Sequence, residues 1–144
     1  MTHEIQLIYI SKLSKNFTWT SIKEMVNLAR ENNKSKGITG LLLMQQYQAM
    51  QVLEGNNLEV TQLFAKICSD IRHSHIEIVS VNQITERHFD IWKMKELSLD
   101  RLINAKQGWI SKFLNHEKDQ PLFPSDYESA VTLLKVMYAL TKET

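Results

Sequence analysis

The chain has 144 residues, 43% of them hydrophobic, which is the length and apolar content of one packed domain. Its formal net charge of +1 gives no broad electrostatic reason to bind DNA, RNA or an anionic membrane. The single Cys68 cannot close an internal disulfide, the opening Met1-Thr2-His3-Glu4 lacks the basic start and apolar run of a secretory signal, and no apolar stretch is long enough to cross a bilayer, so the chain reads as cytoplasmic.

Residues 5–10, Ile-Gln-Leu-Ile-Tyr-Ile, form an apolar, β-branched run ended by Ser11 and Lys12, which predicts a first strand. Ile22, Met25, Val26 and Ala29 then recur at helical spacing. Ser21 with Glu24 can close a capping box there, and Thr18 or Thr20 can equally serve as the cap. The helix is expected to end near Asn32 and Asn33, where Asn tolerates left-handed geometry, before Gly37 turns the chain into a second strand over 38–44. Gln45 and Gln46 interrupt, and residues 47–54 resume as a third strand, so the pair reads as a hairpin. Asn56 and Glu59 form another candidate capping box, followed by the helical stripe Val60, Leu63, Phe64, Ile67 and Ile71. Residues 76–81 alternate as a fourth strand, and 88–97 hold a fifth with Trp92 and Met94 on one side.

This order is the split βαβ, ferredoxin-like α+β plan with one added strand, βαββαββ. Right-handed crossovers lead us to expect strands one and three as parallel neighbours at the sheet's centre. Alternation places Leu7 and Tyr9 on one face and Ile8 and Ile10 on the other, with Gln51 and Leu53 opposed to Met50 and Val52 in strand three. Both faces are apolar, so both need a cover. The two crossover helices cover one, and the segment after residue 97 is expected to cover the other. Leu102, Ile103, Trp109, Ile110, Phe113 and Leu114 supply a first helical stretch, Pro121 and Pro124 mark a loop, and Ser125 with Glu128 starts a last helix. That helix carries Tyr127, Ala130, Val131, Leu134, Met137 and Tyr138, widened by Leu133, Val136 and Leu140, a breadth that suggests a sheet on one flank and a partner subunit on the other.

Tyr9 and Gln51 should thus sit on adjacent central strands and face the two crossover helices. A buried phenol and a buried amide each cost about 1–3 kcal/mol if unpaired, so they bond each other, a ligand, or both. A core Tyr satisfied by a neighbour is an equally good reading from the residues alone, and Asn33 at a helix end is most often a cap. His73 and His75 near Asp70 stand i, i+2 apart, which fits no regular helical ligand face, and no metal is expected.

Five separated blocks stand in order along the chain: Leu7-Ile8-Tyr9-Ile10-Ser11; Asn32-Asn33 with Gly37-Ile38-Thr39-Gly40-Leu41-Leu42; Gln51-Val52-Leu53-Glu54-Gly55; Asp70-Ile71-Arg72-His73; and Arg87-His88-Phe89 with Trp92 and Met94. Together they resemble the successive signatures of BLUF domains, blue-light sensors that use flavin. The resemblance spans roughly residues 4–96 in order and spacing. It implies a flavin-binding domain over 1–97 and a C-terminal helical extension over 98–144, as in the short stand-alone type. It further implies FAD, or alternatively FMN or riboflavin, as cofactor. Tyr9 would be the electron donor, Gln51 the amide bridging Tyr9 and the flavin edge, and Asn33 the clamp on the pyrimidine side. Asn32, Lys66, Asp70, Arg72 and His73 would line the cofactor edge and the pocket mouth, while Trp92 and Met94 would begin the output. Ala49 stands where Phe is common in the family, and Lys66 where Arg is frequent.

No catalytic constellation lies beyond residue 97, so the implied protein is not an enzyme and signals through an unidentified downstream protein or a homo-oligomer interface. Two other readings share the scaffold. A ferredoxin-like hydrolase would need an Arg in an early phosphate-cradling loop, and residues 10–20 contain neither Arg nor Gly. A light-independent interaction module would have no need of Tyr9, Asn33 and Gln51 together.

Overall fold

The computed structural model describes residues 3–16, 18–90, 95–98, 112, 114, 115, 117 and 120–142. In chain order these hold β1 (Glu4–Leu13), α1 (Trp19–Lys36), β2 (Thr39–Gln45), β3 (Gln48–Asn56), α2 (Asn57–Ser69), β4 (His73–Ile84), β5 (Lys95–Ser98) and α3 (Tyr127–Lys142). The strands form one sheet in the order β4-β1-β3-β2-β5. This is the expected α+β, ferredoxin-like arrangement, with β5 added at the edge beside β2.

One expectation about that sheet is overturned. β1 and β3 are central neighbours, but they run antiparallel, with Tyr9 directly opposite Gln51. The reason lies in the connections. The α1 crossover joins β1 to β2 as the parallel pair, and the two-residue hairpin turn then sends β3 back between them, opposite to both. Among the described strands only β5 pairs in parallel, along β2. Side-chain parity does not depend on strand direction, so the expected faces survive. One cluster gathers Leu7, Tyr9, Leu42, Leu53 and Val60 on the side of α1 and α2, and the other gathers Ile8, Ile10, Met50 and Val52 with Leu133, Leu134 and Met137 of α3.

Local signals explain most element ends. Thr18 is the N-cap of α1, its hydroxyl accepting from the Ser21 amide at 3.1 Å, which decides among the three candidate caps. α1 runs a turn past the expected end at Asn32 and Asn33 and stops at Gly37, which takes the left-handed conformation (φ 69°) and donates its N–H to the Asn33 carbonyl. Asn56 caps α2 as expected, accepting from the Leu58 and Glu59 amides. Asp126, rather than Ser125, caps α3 by accepting from the Ser129 amide at 2.9 Å. The β2–β3 turn places Gln46 and Tyr47 at positive φ, the geometry whose twist suits a two-residue hairpin.

β4 extends beyond the expected 76–81 at both ends, because β1 offers it partners along its whole length. The fifth strand does not begin at residue 88 as expected. Residues 87–90 are a loop, β5 occupies Lys95–Ser98, and Trp92 and Met94 lie outside the described residues, as does most of the expected helical stretch over 102–114. On α3, Ala130, Leu133, Leu134, Met137 and Tyr138 are buried and Tyr127 is exposed. No helix among the described residues is long and apolar enough to cross a membrane.

Candidate functional site

A cleft of about 190 Å³ opens between α1, α2 and the face of β1, β2 and β3 that these helices cover. β1 supplies Tyr9, β2 Leu42 and β3 Gln51, while α1 contributes Ala29 and Asn33 one helical turn apart. α2 adds Leu63, Lys66 and Ile67, and the segment entering β4 adds Asp70, Arg72 and His73. Of the eight cofactor-contacting residues expected from sequence, seven therefore meet in one cleft. The eighth, Asn32, is exposed on α1 and is not among the cleft residues, because the helix rotates it away from its neighbour Asn33.

The cleft floor is polar at one spot and apolar elsewhere. Tyr9 is 1% exposed and donates its hydroxyl hydrogen to Gln51 Oε1, between directly opposed residues of adjacent strands. Phe64 packs on the Tyr9 ring at a centroid distance of 5.3 Å, tilted by 54°. Burial raises the Tyr9 pKa well above its ordinary value of 10.0, with a smaller electrostatic contribution from Cys68, so the phenol stays protonated. Asn33 is 3% exposed, and its carboxamide has no hydrogen-bond partner among the described residues. A carboxamide in this position, lining an apolar cleft, fits a ligand with both donor and acceptor atoms on a flat edge.

The mouth of the cleft is charged. Arg72 makes a forked ion pair with Asp70, Nε reaching both carboxylate oxygens at 2.8 and 2.9 Å and Nη2 closing the second contact. Arg72 holds the Asp70 pKa down to about 2. His73 Nδ1 lies 3.2 Å from Ser11 Oγ, and burial lowers the imidazole pKa below 6.5, opposed by Asp70 and assisted by Arg72. The departures in sequence sit on the same side of the sheet: Ala49 is fully buried in the cluster that contains Tyr9, and Lys66 is at the mouth.

Sequence reasoning did not single out Ala29, Leu42, Leu63 and Ile67 as site residues. Their signal was present, since Leu42 shares the parity of Gln51 across the hairpin and the other three belong to the apolar helical stripes. Nor did it single out Glu54, a fully buried carboxyl on β3 that accepts from Gln6 Nε2 at 2.8 Å. A charged residue inside an apolar strand was the available sign.

Sheet, cleft and polar floor define a ferredoxin-like domain with a ligand-sized site between its crossover helices. The sequence matches the family of sensors of blue light using FAD over residues 5–95, and the chain belongs to that family of flavin-dependent light sensors.

Among curated relatives, the photoactivated adenylate cyclase subunit alpha of Euglena gracilis is 32% identical over 81 residues, covering 56% of this chain and 8% of that protein. The blue light- and temperature-regulated antirepressor BluF of Escherichia coli is 32% identical over 83 residues, covering 58% of this chain and 21% of its own. The chain thus spans only a small part of these relatives' length. Among solved structures, a bacterial light-regulated adenylyl cyclase superposes with a TM-score of 0.68 at 32% identity, over 76% of this chain and 33% of that one. The BLUF protein BlrB in its dark state superposes with a TM-score of 0.77 over 98% of both chains, at 24% identity, a likeness of fold.

Proposed function

We propose that this chain is a blue-light photoreceptor that holds FAD non-covalently in the cleft between α1 and α2, with FMN or riboflavin as the smaller alternatives. The observation that carries this reading is the hydrogen bond from Tyr9 to Gln51 on the cleft floor. A flavin bound there supplies a blue-absorbing acceptor for one electron and one proton, and a carbonyl whose hydrogen bonding tunes its absorption. Asn33 offers both edges of its carboxamide to the pyrimidine side. Lys66 and Arg72 offer cations to phosphate at the mouth, Asp70 orients Arg72 and His73 closes the wall, while Asn32, turned away from the cleft, is left out of the proposed contacts.

The chain's own part in the photochemistry follows from the pair. Removing an electron alone from a buried phenol would leave an unpaired charge in an apolar site, so Tyr9 releases its proton together with its electron. Gln51 Oε1 already accepts that hydrogen bond, and the amide nitrogen can pass a proton onward, so Gln51 relays in one direction and returns in the other. When electron and proton return, Tyr9 is restored and nothing is consumed. Gln51 has meanwhile rotated or changed tautomer, and it presents a different donor to the cleft.

Output begins where Gln51 presses on its strand, and Trp92 and Met94 carry it to an unidentified downstream protein or to an interface between copies of the chain. Residues 1–97 act as the flavin domain and 98–144 as a helical extension packed on the sheet, in the cytoplasm and without an enzymatic step of its own. The test is mutational. Blue light shifts the flavin spectrum of the wild type to the red, while Tyr9→Phe and Gln51→Leu bind flavin and show no shift. A persisting shift in Tyr9→Phe would refute the assigned electron transfer.

A further inference from the structure

Glu54 lies three residues beyond Gln51 on β3 and points to the opposite face of the sheet, the face covered by α3. It is completely buried, yet its carboxyl group serves three donors. Oε2 accepts from Gln6 Nε2 at 2.8 Å, across the register pair Gln6–Glu54 of β1 and β3. Oε1 accepts the backbone amides of His88 at 2.9 Å and Phe89 at 2.7 Å. Those amides belong to the loop between β4 and β5, far from Glu54 in sequence and with no ladder partners of their own. A buried carboxyl that loses such donors, or amides that lose such an acceptor, cost more than an ordinary exposed hydrogen bond, so the loop is fixed to the strand.

The same loop is fixed to α3. The Phe89 ring meets Tyr138 edge-on at a centroid distance of 5.2 Å and an angle of 75°, and the Tyr138 hydroxyl donates to Asp90 Oδ1 at 2.7 Å. A continuous set of contacts thus leads from Gln51 along β3 to Glu54, across to residues 88–90, and on to α3.

We propose that Glu54 is a positioning residue through which the strand carrying Gln51 holds the 88–90 loop and, with it, α3, so that a movement of Gln51 reaches the C-terminal helix on the far side of the sheet. This rests on the light-sensing reading above and adds a route that does not depend on Trp92 or Met94. Glu54 touches no part of the cleft and takes no part in the photochemistry.

The experiment uses the full flavin-loaded chain and two readouts: the red shift on blue light, and hydrogen exchange of the α3 segment in lit and dark states. The wild type is expected to show the shift and a light-dependent change of exchange in α3. Glu54→Met removes the acceptor while keeping the length of the side chain, and Tyr138→Phe removes the hydroxyl that donates to Asp90. Both should keep the full red shift while losing most of the α3 change. Glu54→Gln should restore coupling, because its amide oxygen can serve the loop while its NH₂ faces Gln6, whose own amide can turn to accept. An undiminished α3 response in Glu54→Met overturns the proposal. Should Glu54→Met fail to fold, an undiminished response in Tyr138→Phe does the same. A wild type with a red shift and no change in α3 also overturns it, whereas a wild type with no red shift overturns the light-sensing reading beneath it.

Discussion

At the residue scale, what distinguishes this cleft is the unequal treatment of its polar groups. Tyr9 donates to Gln51 Oε1, whereas Asn33 is buried and its carboxamide has no hydrogen-bond partner among the described residues. Asn33→Ala is therefore expected to weaken flavin binding by about 1–3 kcal/mol, roughly 5- to 150-fold in Kd, with the protein still folded. Titrating apoprotein with flavin measures it, and an unchanged Kd would remove Asn33 from the site. His73 adds a pH dependence whose sign is fixed by its burial. Its pKa is lower folded than unfolded, so its contribution to stability is present above the unfolded value of 6.5 and is lost as pH falls through that value towards the folded one. Thermal melts of the wild type should fall in Tm as pH drops from about 7.5 to about 5.5, with a shallower fall in His73→Gln. Equal slopes would assign the acid sensitivity elsewhere. Tyr9 and Gln51 were legible in the sequence because strand parity alone puts them on one face. From the residues alone Asn33 reads as a helix cap because nothing in its neighbourhood reveals that α1 continues to Gly37, and the part played by Glu54 is not legible because its donors lie 34, 35 and 48 residues away.

At the element scale, the two faces of the sheet depend on different helices. α3 places Leu133, Leu134 and Met137 fully buried against Ile8, Leu41, Met50 and Val52. Leu134→Ala should cost about 2–5 kcal/mol of stability, read by denaturant unfolding, and a loss under 1 kcal/mol would mean that α3 is only loosely held. Asn56→Ala removes the N-cap of α2, which carries Lys66 to the cleft mouth, and should cost about 1 kcal/mol in the same assay. The apolar patterns predicted the existence of these elements well, since every described helix shows an apolar stripe and an end signal. Strand direction was misjudged between β1 and β3 because periodicity carries no information on direction. The hairpin turn and the α1 crossover do carry it, and both leave β3 antiparallel to its neighbours. β4 was read too short because its ends are polar, as an edge strand's can be.

At the scale of the whole molecule, the sheet separates a cleft on one side from a packed helix on the other, and the strand bearing Gln51 belongs to both. That arrangement suits the proposed function, in which the input is one amide and the output a change in a surface. The broad apolar side of α3 is mostly consumed by the sheet, with Val131 and Val136 half-buried, so any self-association should be weak at micromolar concentration and should respond to light. Light scattering in the dark and under illumination tests this, and a tight, light-insensitive oligomer would contradict it. The most direct test of the central claim is the absorption spectrum of the purified chain before and after blue light. The expected result is a flavin spectrum that moves slightly to the red and recovers in the dark. A colourless protein that takes up no added flavin, or a bound flavin whose spectrum light leaves unmoved, would contradict it.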